Sequence, residues 1–267
     1  MDQARTLPPR SLLFVPASRP RMIAKAASLA ADWIILDLED AVREDEKDGA
    51  RAGLAEALAT LGDRPVGVRI NPLDGVHAAA DLAVLATIDP ALVVVPKVED
   101  AAGLAPLGGR ALLPMIETPK GVLSAASIAA TPGVVGLMVG TNDLAATLRL
   151  PPHAPRSSLA HALQAVVLAA RAAGGWAIDG VFNALADAHG LAAECAEGRL
   201  LGFDGKSLIH PDQVAPANAA FAPSDTELAD AHALIAAASG GAERFRDRMV
   251  EDLHVETARA LIARSRR

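Results

Sequence analysis

The chain has 267 residues, of which 51% are hydrophobic and 21% charged, a length that suits one large domain or two small ones. Its net charge of −7 disfavours a broad nucleic-acid-binding surface, although local positive charge could still bind an anionic substrate. The single cysteine excludes an internal disulfide, and the first ten residues lack the apolar core of a signal peptide. No apolar run approaches the roughly 18 residues of a membrane span, so we expect a soluble, cytoplasmic protein without a membrane partner.

Eight short apolar runs alternate with Ala-rich stretches from one end of the chain to the other. Each run is almost continuously apolar, which is typical of parallel strands buried on both faces. The predicted strands are residues 11–17 (SLLFVPA), 33–39 (WIILDLE), 66–71 (VGVRIN), 92–97 (LVVVPK), 111–117 (ALLPMIE), 134–140 (VVGLMVG), 177–182 (AIDGVF) and 202–209 (GFDGKSLI). Between them, apolar residues recur at helical spacing, as in residues 20–31, 47–61 and 158–173.

Eight strand–helix units in a chain of this length predict an α/β fold, a closed TIM (β/α)8 barrel over residues 1–240. A doubly wound open sheet is the alternative, because alternation alone does not establish closure. Two extra helices are predicted after the eighth strand, at residues 212–221 and 224–238. Residues 241–267 form a charged C-terminal helical tail, which either packs as a terminal helix or reaches a neighbouring subunit.

Polar residues end seven of the eight predicted strands. In a TIM barrel the chemistry lies at the C-terminal ends of the strands, so this placement indicates a shared pocket. The strand ends are Ser18-Arg19, Asp37-Leu38-Glu39-Asp40, Arg69-Ile70-Asn71, Pro96-Lys97, Glu117-Thr118, Thr141-Asn142-Asp143 and Lys206-Ser207.

Glu117 and Asp143 close consecutive predicted strands, so their carboxylates are expected to converge above the barrel. Two carboxylates with room for water and substrate oxygens suit a hard cation such as Mg²⁺. Either residue alone could instead cap the helix that follows it. The pair at adjacent strand ends predicts a metal site.

Arg69 ends the third strand, where its guanidinium needs an anionic partner. That partner is a substrate carboxylate, an internal ion pair with Glu39 or Asp40, or both. Three carboxylates at the end of the second strand cannot all be buried without partners, which makes Glu39 and Asp40 candidates for a supporting catalytic role. Lys97 has three interpretations: a Schiff base, an electrostatic role near the site, or a plain salt bridge.

Seven motifs occur in the order seen in one family, and together they cover nearly the whole chain. They are RSLLFVPASRPRMIAKA (10–26), ADWIILDLEDAV (31–42), VGVRINP (66–72), VVVPKVE (93–99), MIETPKGV (115–122), GTNDLA (140–145) and GFDGKSLIHPDQV (202–214). The chain thereby resembles the citrate lyase beta-subunit-like branch of the HpcH/HpaI aldolase superfamily. Relatives include citryl-CoA and malyl-CoA lyases and related thioesterases or synthases.

The resemblance implies a Mg²⁺-dependent carbon–carbon lyase that cleaves or forms a 3-hydroxyacyl-CoA, giving acetyl-CoA and an α-oxo acid such as oxaloacetate or glyoxylate. It places Mg²⁺ on Glu117 and Asp143 and the oxo-acid carboxylate on Arg69. The alternatives are a CoA-independent metal-dependent aldolase acting on hydroxy-oxo acids and a non-catalytic homologue.

The resemblance also implies CoA contacts at four positions and a homo-oligomer, a trimer or a hexamer. The four positions are Phe14, where some relatives have Tyr, with Arg19, Lys25 and Lys47. In relatives an Asp near the C-terminus comes from an adjacent subunit and acts in acid–base chemistry on the acetyl group. This chain has Glu251 at the matching position, and the longer side chain changes the geometry there.

Overall fold

Eight parallel strands close into a barrel, as predicted. The computed structural model describes residues 7–265. Each strand pairs with the next along the chain, and the first pairs with the eighth through Leu12 and Ser207. The strands are β1 (Ser11–Pro16), β2 (Trp33–Asp37), β3 (Val66–Arg69), β4 (Leu92–Val95), β5 (Leu112–Ile116), β6 (Gly136–Val139), β7 (Trp176–Asp179) and β8 (Gly205–Leu208). The closed ladder excludes the open doubly wound sheet.

Helices alternate with the strands along the chain. They are α1 (Pro20–Ala26), α2 (Lys47–Ala52), α3 (Leu54–Leu61), α4 (Ala78–Leu85), α5 (Pro119–Ala129), α6 (Thr141–Thr147), α7 (Ala160–Ala172), α8 (Ala188–Leu201) and α9 (Val214–Phe221). Short 3₁₀ turns occupy Glu44–Glu46, Ala102–Leu107, Arg156–Leu159 and Pro211–Gln213. Between β4 and β5 the 3₁₀ turn Ala102–Leu107, with Pro106 inside it, takes the place of a helix.

Side chains alternate between the two faces of each strand, so every second one fills the barrel interior and the last residues of the strand lie at the mouth. Side chains two residues apart point to the same face, and Trp33, Ile35, Met115 and Ile178 belong to one buried cluster inside the barrel. Trp33 and Trp176 meet edge to face, with ring centroids 6.1 Å apart. The same two-residue step carries β2 from Ile35 to an inward-facing Asp37. The barrel is therefore a packed core whose polar end faces the βα loops.

The predicted helix over residues 47–61 is two helices in the structure. Lys47–Ala52 and Leu54–Leu61 meet at Gly53, a residue that weakens a helix interior because it has the greatest backbone freedom to lose. The predicted helices at 212–221 and 224–238 are confirmed as α9 and α10 (Asp225–Ala237), the latter capped by Ser224.

Residues 8–220 form one compact unit and residues 221–265 belong to a second. The second unit contains α10, a two-stranded antiparallel hairpin, β9 (Glu243–Phe245) with β10 (Arg248–Val250), and α11 (Asp252–Arg264). A small cluster of Leu234, Val250 and Ala258 forms its core. The terminal helix was predicted and the hairpin was not, because three-residue strands carry too little periodicity to be recognised. Over residues 7–265, no helix is both long and apolar enough to cross a membrane.

Candidate active site

A cavity of about 340 Å³ lies at the C-terminal ends of the strands. Its size falls within the roughly 300–1,000 Å³ of small-molecule sites. Seven of its lining residues concern the chemistry considered below: Phe14, Asp37, Asp40, Arg69, Met115, Glu117 and Asp143. The strand ends that the sequence analysis grouped therefore share one cavity.

Arg69 is buried at this mouth and held by Asp37. Its Nε and Nη2 each donate to a different oxygen of the Asp37 carboxylate at 2.6 Å, a bidentate pair. Asp37 and Arg69 are register partners on β2 and β3. Asp37 and the neighbouring acids more than offset the effect of burial, so the pKa of the guanidinium is raised and Arg69 stays charged. The Phe14 ring packs against the guanidinium carbon at 4.9 Å.

The sequence analysis did not single out Asp37 as the partner of Arg69. It proposed Glu39 or Asp40, whose oxygens lie 2.9 and 3.8 Å from Nη1. The signal that could have found Asp37 is the two-residue alternation from Ile35, which points Asp37 into the barrel beside Arg69. Since Asp37 takes the Nε–Nη2 edge, a substrate carboxylate would bind at the terminal Nη1–Nη2 edge, where Nη1 lies near Glu39 and donates to Met115 Sδ at 3.9 Å.

Glu39 is buried between the two cations of the site. Its Oε2 lies 2.9 Å from Arg69 Nη1 but out of hydrogen-bond alignment, and its Oε1 accepts from Lys97 Nζ at 3.2 Å. Burial raises the pKa of Glu39, and the charge of Arg69 partly counters that effect. Asp40 is largely exposed at the rim.

Glu117 is buried at the end of β5. The Lys97 amide donates to its Oε1 at 2.6 Å. A Cβ atom at position 140 would collide with this carboxylate, so Gly140 leaves the space that Glu117 fills. Burial first, and then the charges of Glu39 and Asp143, raise the pKa of Glu117 to about 7.

Asp143 lies in the first turn of α6 and is about two-fifths exposed, with its Oδ2 3.8 Å from Lys97 Nζ. The mouth thus gathers five carboxylates (Asp37, Glu39, Asp40, Glu117, Asp143) around two cations (Arg69, Lys97).

The mouth carries more negative than positive side chains, and the pKa of the Glu117 carboxyl group is raised. Both features suit a site for a divalent cation. Within residues 7–265, no group of three or more Asp, Glu, His or Cys side chains could enclose an ion. Glu117 and Asp143, the two ligands predicted from the sequence, both line the cavity, and their assignment to Mg²⁺ stays a prediction.

Lys47 is buried, and its ammonium group makes three hydrogen bonds inside the protein. It donates to Leu38 O (2.8 Å), Glu39 O (3.0 Å) and Asn71 Oδ1 (2.7 Å). Asp81 accepts from both the backbone and the side-chain amide of Asn71. All three ammonium hydrogens are used, so this placement lets Lys47 fix the loop that carries Glu39 and leaves it no donor for a ligand.

The other residues predicted to contact CoA lie in different surroundings. Phe14 faces the cavity, whereas Arg19 is half exposed and pairs with Glu46 at 2.8 Å. Lys25 is exposed in the last turn of α1. Glu251 belongs to the second unit, where it precedes α11, and its backbone amide donates to His254 Nδ1.

The fold and the site together define the class of this protein. It is a TIM barrel with an arginine and a group of carboxylates at its mouth, the end at which enzymes of this fold carry out their chemistry. Residues 10–211, almost the whole barrel unit, match the HpcH/HpaI aldolase/citrate lyase family, and the chain belongs to that family.

Relatives with assigned names cover nearly the full chain. A (3S)-malyl-CoA thioesterase from Cereibacter sphaeroides is 44% identical, over 97% of this chain and 95% of that protein. A citrate lyase subunit beta-like protein from Mycobacterium tuberculosis is 39% identical, over 92% of each chain. The crystal structure of Mycobacterium tuberculosis CitE in complex with magnesium, acetoacetate and coenzyme A superimposes with a TM-score of 0.85 at 36% identity, covering 98% of this chain and all of that one.

Proposed function

We propose that this protein is a Mg²⁺-dependent carbon–carbon lyase that cleaves or forms a 3-hydroxyacyl-CoA such as malyl-CoA or citryl-CoA, with acetyl-CoA and an α-oxo acid as the other side of the reaction. The observation that carries the proposal is the cavity in which Glu117 and Asp143 lie together with Arg69. The magnesium, acetoacetate and CoA in the related CitE structure support it. A homo-oligomer, a trimer or a hexamer, is part of the proposal.

Glu117 and Asp143 hold the metal, and Arg69 holds the oxo-acid carboxylate through its Nη1–Nη2 edge. Asp37 keeps the guanidinium in place by accepting hydrogen bonds from Nε and Nη2, the adjacent edge. When bound, Mg²⁺ supplies Lewis-acid stabilisation of the oxyanion charge that develops during the reaction. Glu39 aligns the two cations that it contacts, Arg69 and Lys97.

In the cleavage direction, the hydroxyl proton of the substrate leaves to a rim carboxylate, for which Asp40 is the exposed candidate. The bond between C2 and C3 of the acyl chain then breaks, its electron pair passes to the thioester enolate, and the former hydroxyl carbon becomes the carbonyl carbon of the oxo acid. Protonation of the enolate gives acetyl-CoA. Glu251 of a second copy is assigned to the proton at the acetyl carbon, following the resemblance of its position to that of the family's Asp.

A second candidate is hydrolysis of (3S)-malyl-CoA at the thioester, favoured by the name of the 44% identical relative. The two reactions differ in their products. Cleavage of malyl-CoA yields glyoxylate and acetyl-CoA, whereas hydrolysis yields malate and free CoA. Chromatographic product analysis with malyl-CoA and citryl-CoA distinguishes them, and a parallel assay with pyruvate and aldehydes tests for a CoA-independent aldolase.

The metal and substrate assignments are tested with Glu117→Ala, Asp143→Ala and Arg69→Ala. The first two are expected to abolish Mg²⁺-dependent turnover while the circular dichroism spectrum is retained. Arg69→Ala is expected to abolish oxo-acid binding measured by calorimetry. Asp63→Ala, an exposed carboxylate in the loop before β3, is the matched control and should change neither. Full activity of either carboxylate variant, or unaltered oxo-acid affinity without Arg69, would contradict the proposal.

A further inference from the structure

Lys97 is the residue of the site whose placement the proposed chemistry leaves unexplained. It is one of four residues other than glycine with a positive φ among the described residues, at 52°. That left-handed conformation is costly for a residue with a Cβ atom and persists only where surrounding contacts hold it.

Two hydrogen bonds hold Lys97 in this conformation, donated by backbone amides to β5 and to Glu117, the residue that follows β5. Its own amide donates to Glu117 Oε1 at 2.6 Å, and the amide of Val98 donates to Met115 O at 3.3 Å. The backbone of Lys97 is therefore anchored next to Glu117, independently of what its side chain does.

The side chain of Lys97 reaches the other carboxylates of the site. Its Nζ lies 3.2 Å from Glu39 Oε1 and 3.8 Å from Asp143 Oδ2. One residue thus contacts Glu117 through its amide while its ammonium group lies between Glu39 and Asp143. The ammonium group therefore lies within 4 Å of an oxygen of each of these two carboxylates and offsets part of their charge.

The two cations of the site differ in their freedom to move. Arg69 is buried, gripped at two points by Asp37 and covered by Phe14. The Lys97 side chain is 40% exposed and has four rotatable methylene bonds, so it can leave the carboxylates without opening the core. An ammonium ion and a divalent cation beside the same Asp143 carboxylate would repel each other, since like charges a few ångströms apart interact unfavourably even at a partly exposed position.

We propose that the Lys97 ammonium group acts as an intrinsic counter-ion that occupies the cation position of the metal-free site and withdraws when a divalent cation binds. It stabilises the cluster of carboxylates before metal binding and competes with the metal for Asp143. The protein's apparent affinity for the metal is therefore lower than its carboxylates alone would give, since the ion pairs of Lys97 must break first. This inference rests on the proposed metal site.

The test measures Mg²⁺ binding by isothermal titration calorimetry, without substrate, and thermal unfolding in EDTA. Lys97→Gln removes the charge and keeps an unbranched side chain with a similar cost at positive φ. We expect it to bind Mg²⁺ more tightly, on the order of tenfold, a typical coupling between two competing ligands. In EDTA its unfolding temperature should fall, because Asp143 loses the ammonium group beside it and Glu39 keeps only Arg69 as a counter-ion.

Two variants separate this effect from general ones. Lys97→Arg keeps the charge and should bind Mg²⁺ much as the wild type does. Lys120→Gln removes the same charge from a pair with Glu99 and Asp100, and should change neither the affinity nor the unfolding temperature in EDTA.

The outcomes distinguish this inference from the proposed metal site. Weaker or unchanged Mg²⁺ binding by Lys97→Gln, beside a wild type that binds, would overturn the counter-ion role and leave the metal site standing. Tighter binding by Lys120→Gln as well would reduce the effect to net charge and also overturn it. If neither the wild type nor any variant binds Mg²⁺, both the metal site and this inference fail.

Discussion

The Glu117 carboxyl group is buried against other carboxylates, so its replacement by the neutral isostere should stabilise the metal-free protein. The rise in its pKa from 4.5 to about 7 corresponds to about 3 kcal/mol of unfavourable free energy for the ionised form in the folded state. Glu117→Gln retains an oxygen that can accept from the Lys97 amide and removes the repulsion from Glu39 and Asp143. The gain in stability should therefore approach, without exceeding, about 3 kcal/mol above pH 7.

The sign of the pH dependence follows from the raised pKa. Between pH 4.5 and about 7 the folded wild type holds a proton on Glu117 that the unfolded chain releases, so the stability contributed by this group falls as the pH rises through that window. Urea denaturation in EDTA at pH 8 and at pH 5 measures the difference. The gain from Glu117→Gln should be large at pH 8 and small at pH 5, and saturating Mg²⁺ should stabilise the wild type only.

Glu56→Gln, an exposed substitution of the same kind on α3, is the control and should be close to neutral at both pH values. Equal destabilisation by Glu117→Gln at pH 5 and pH 8 would refute the reasoning. It would mean that Glu117 is held by favourable contacts and carries no electrostatic cost.

Three further predictions concern Lys47, Glu251 and Cys195. Lys47→Met leaves three buried acceptors without their donor and should lower the free energy of unfolding, measured by urea denaturation, by about 2–4 kcal/mol. Lys25→Met on the surface is the control and should change it little. A near-neutral Lys47→Met would show that the loop carrying Glu39 is held by other contacts. Glu251→Gln should lower acyl-CoA turnover by about 100-fold and leave calorimetric oxo-acid affinity intact. Turnover equal to that of Glu256→Gln, an exposed substitution on α11, the helix that Glu251 precedes, would remove Glu251 from the reaction. Burial raises the pKa of the Cys195 thiol to about 11, so at pH 8 it is protonated and should react with a thiol reagent only as the protein unfolds; rapid labelling of the native protein would contradict its burial.

The barrel could be predicted because its determinants are local in the sequence. Apolar runs such as those of β2 and β4 are short and buried on both faces, and eight of them alternating with helical stretches leave few architectures for this length. The positions of Glu117 and Asp143 followed from the same rule, since the residue that ends a barrel strand lies at the mouth. Features of the fold and the site that depend only on strand order and on the two-residue alternation of side chains can be predicted from the sequence alone.

Partner choice among the charged residues required the tertiary structure. Glu39 and Asp40 were the internal partners predicted for Arg69, and an oxygen of each lies within 4 Å of its Nη1. The bidentate partner, Asp37, became apparent only from the strand register and its inward direction. Lys47 was expected to contact CoA, and only the folded loop shows its ammonium group buried against Leu38, Glu39 and Asn71. Lys97 reaches Glu39 and Asp143, 58 and 46 positions away in the numbering, through a left-handed turn that no residue type announces. The periodicity of apolar residues in the sequence determines which side chains are buried or lie at a strand end. The hydrogen-bond distances of about 3 Å between charged side chains arise only when the barrel closes and brings these strand ends and loops together.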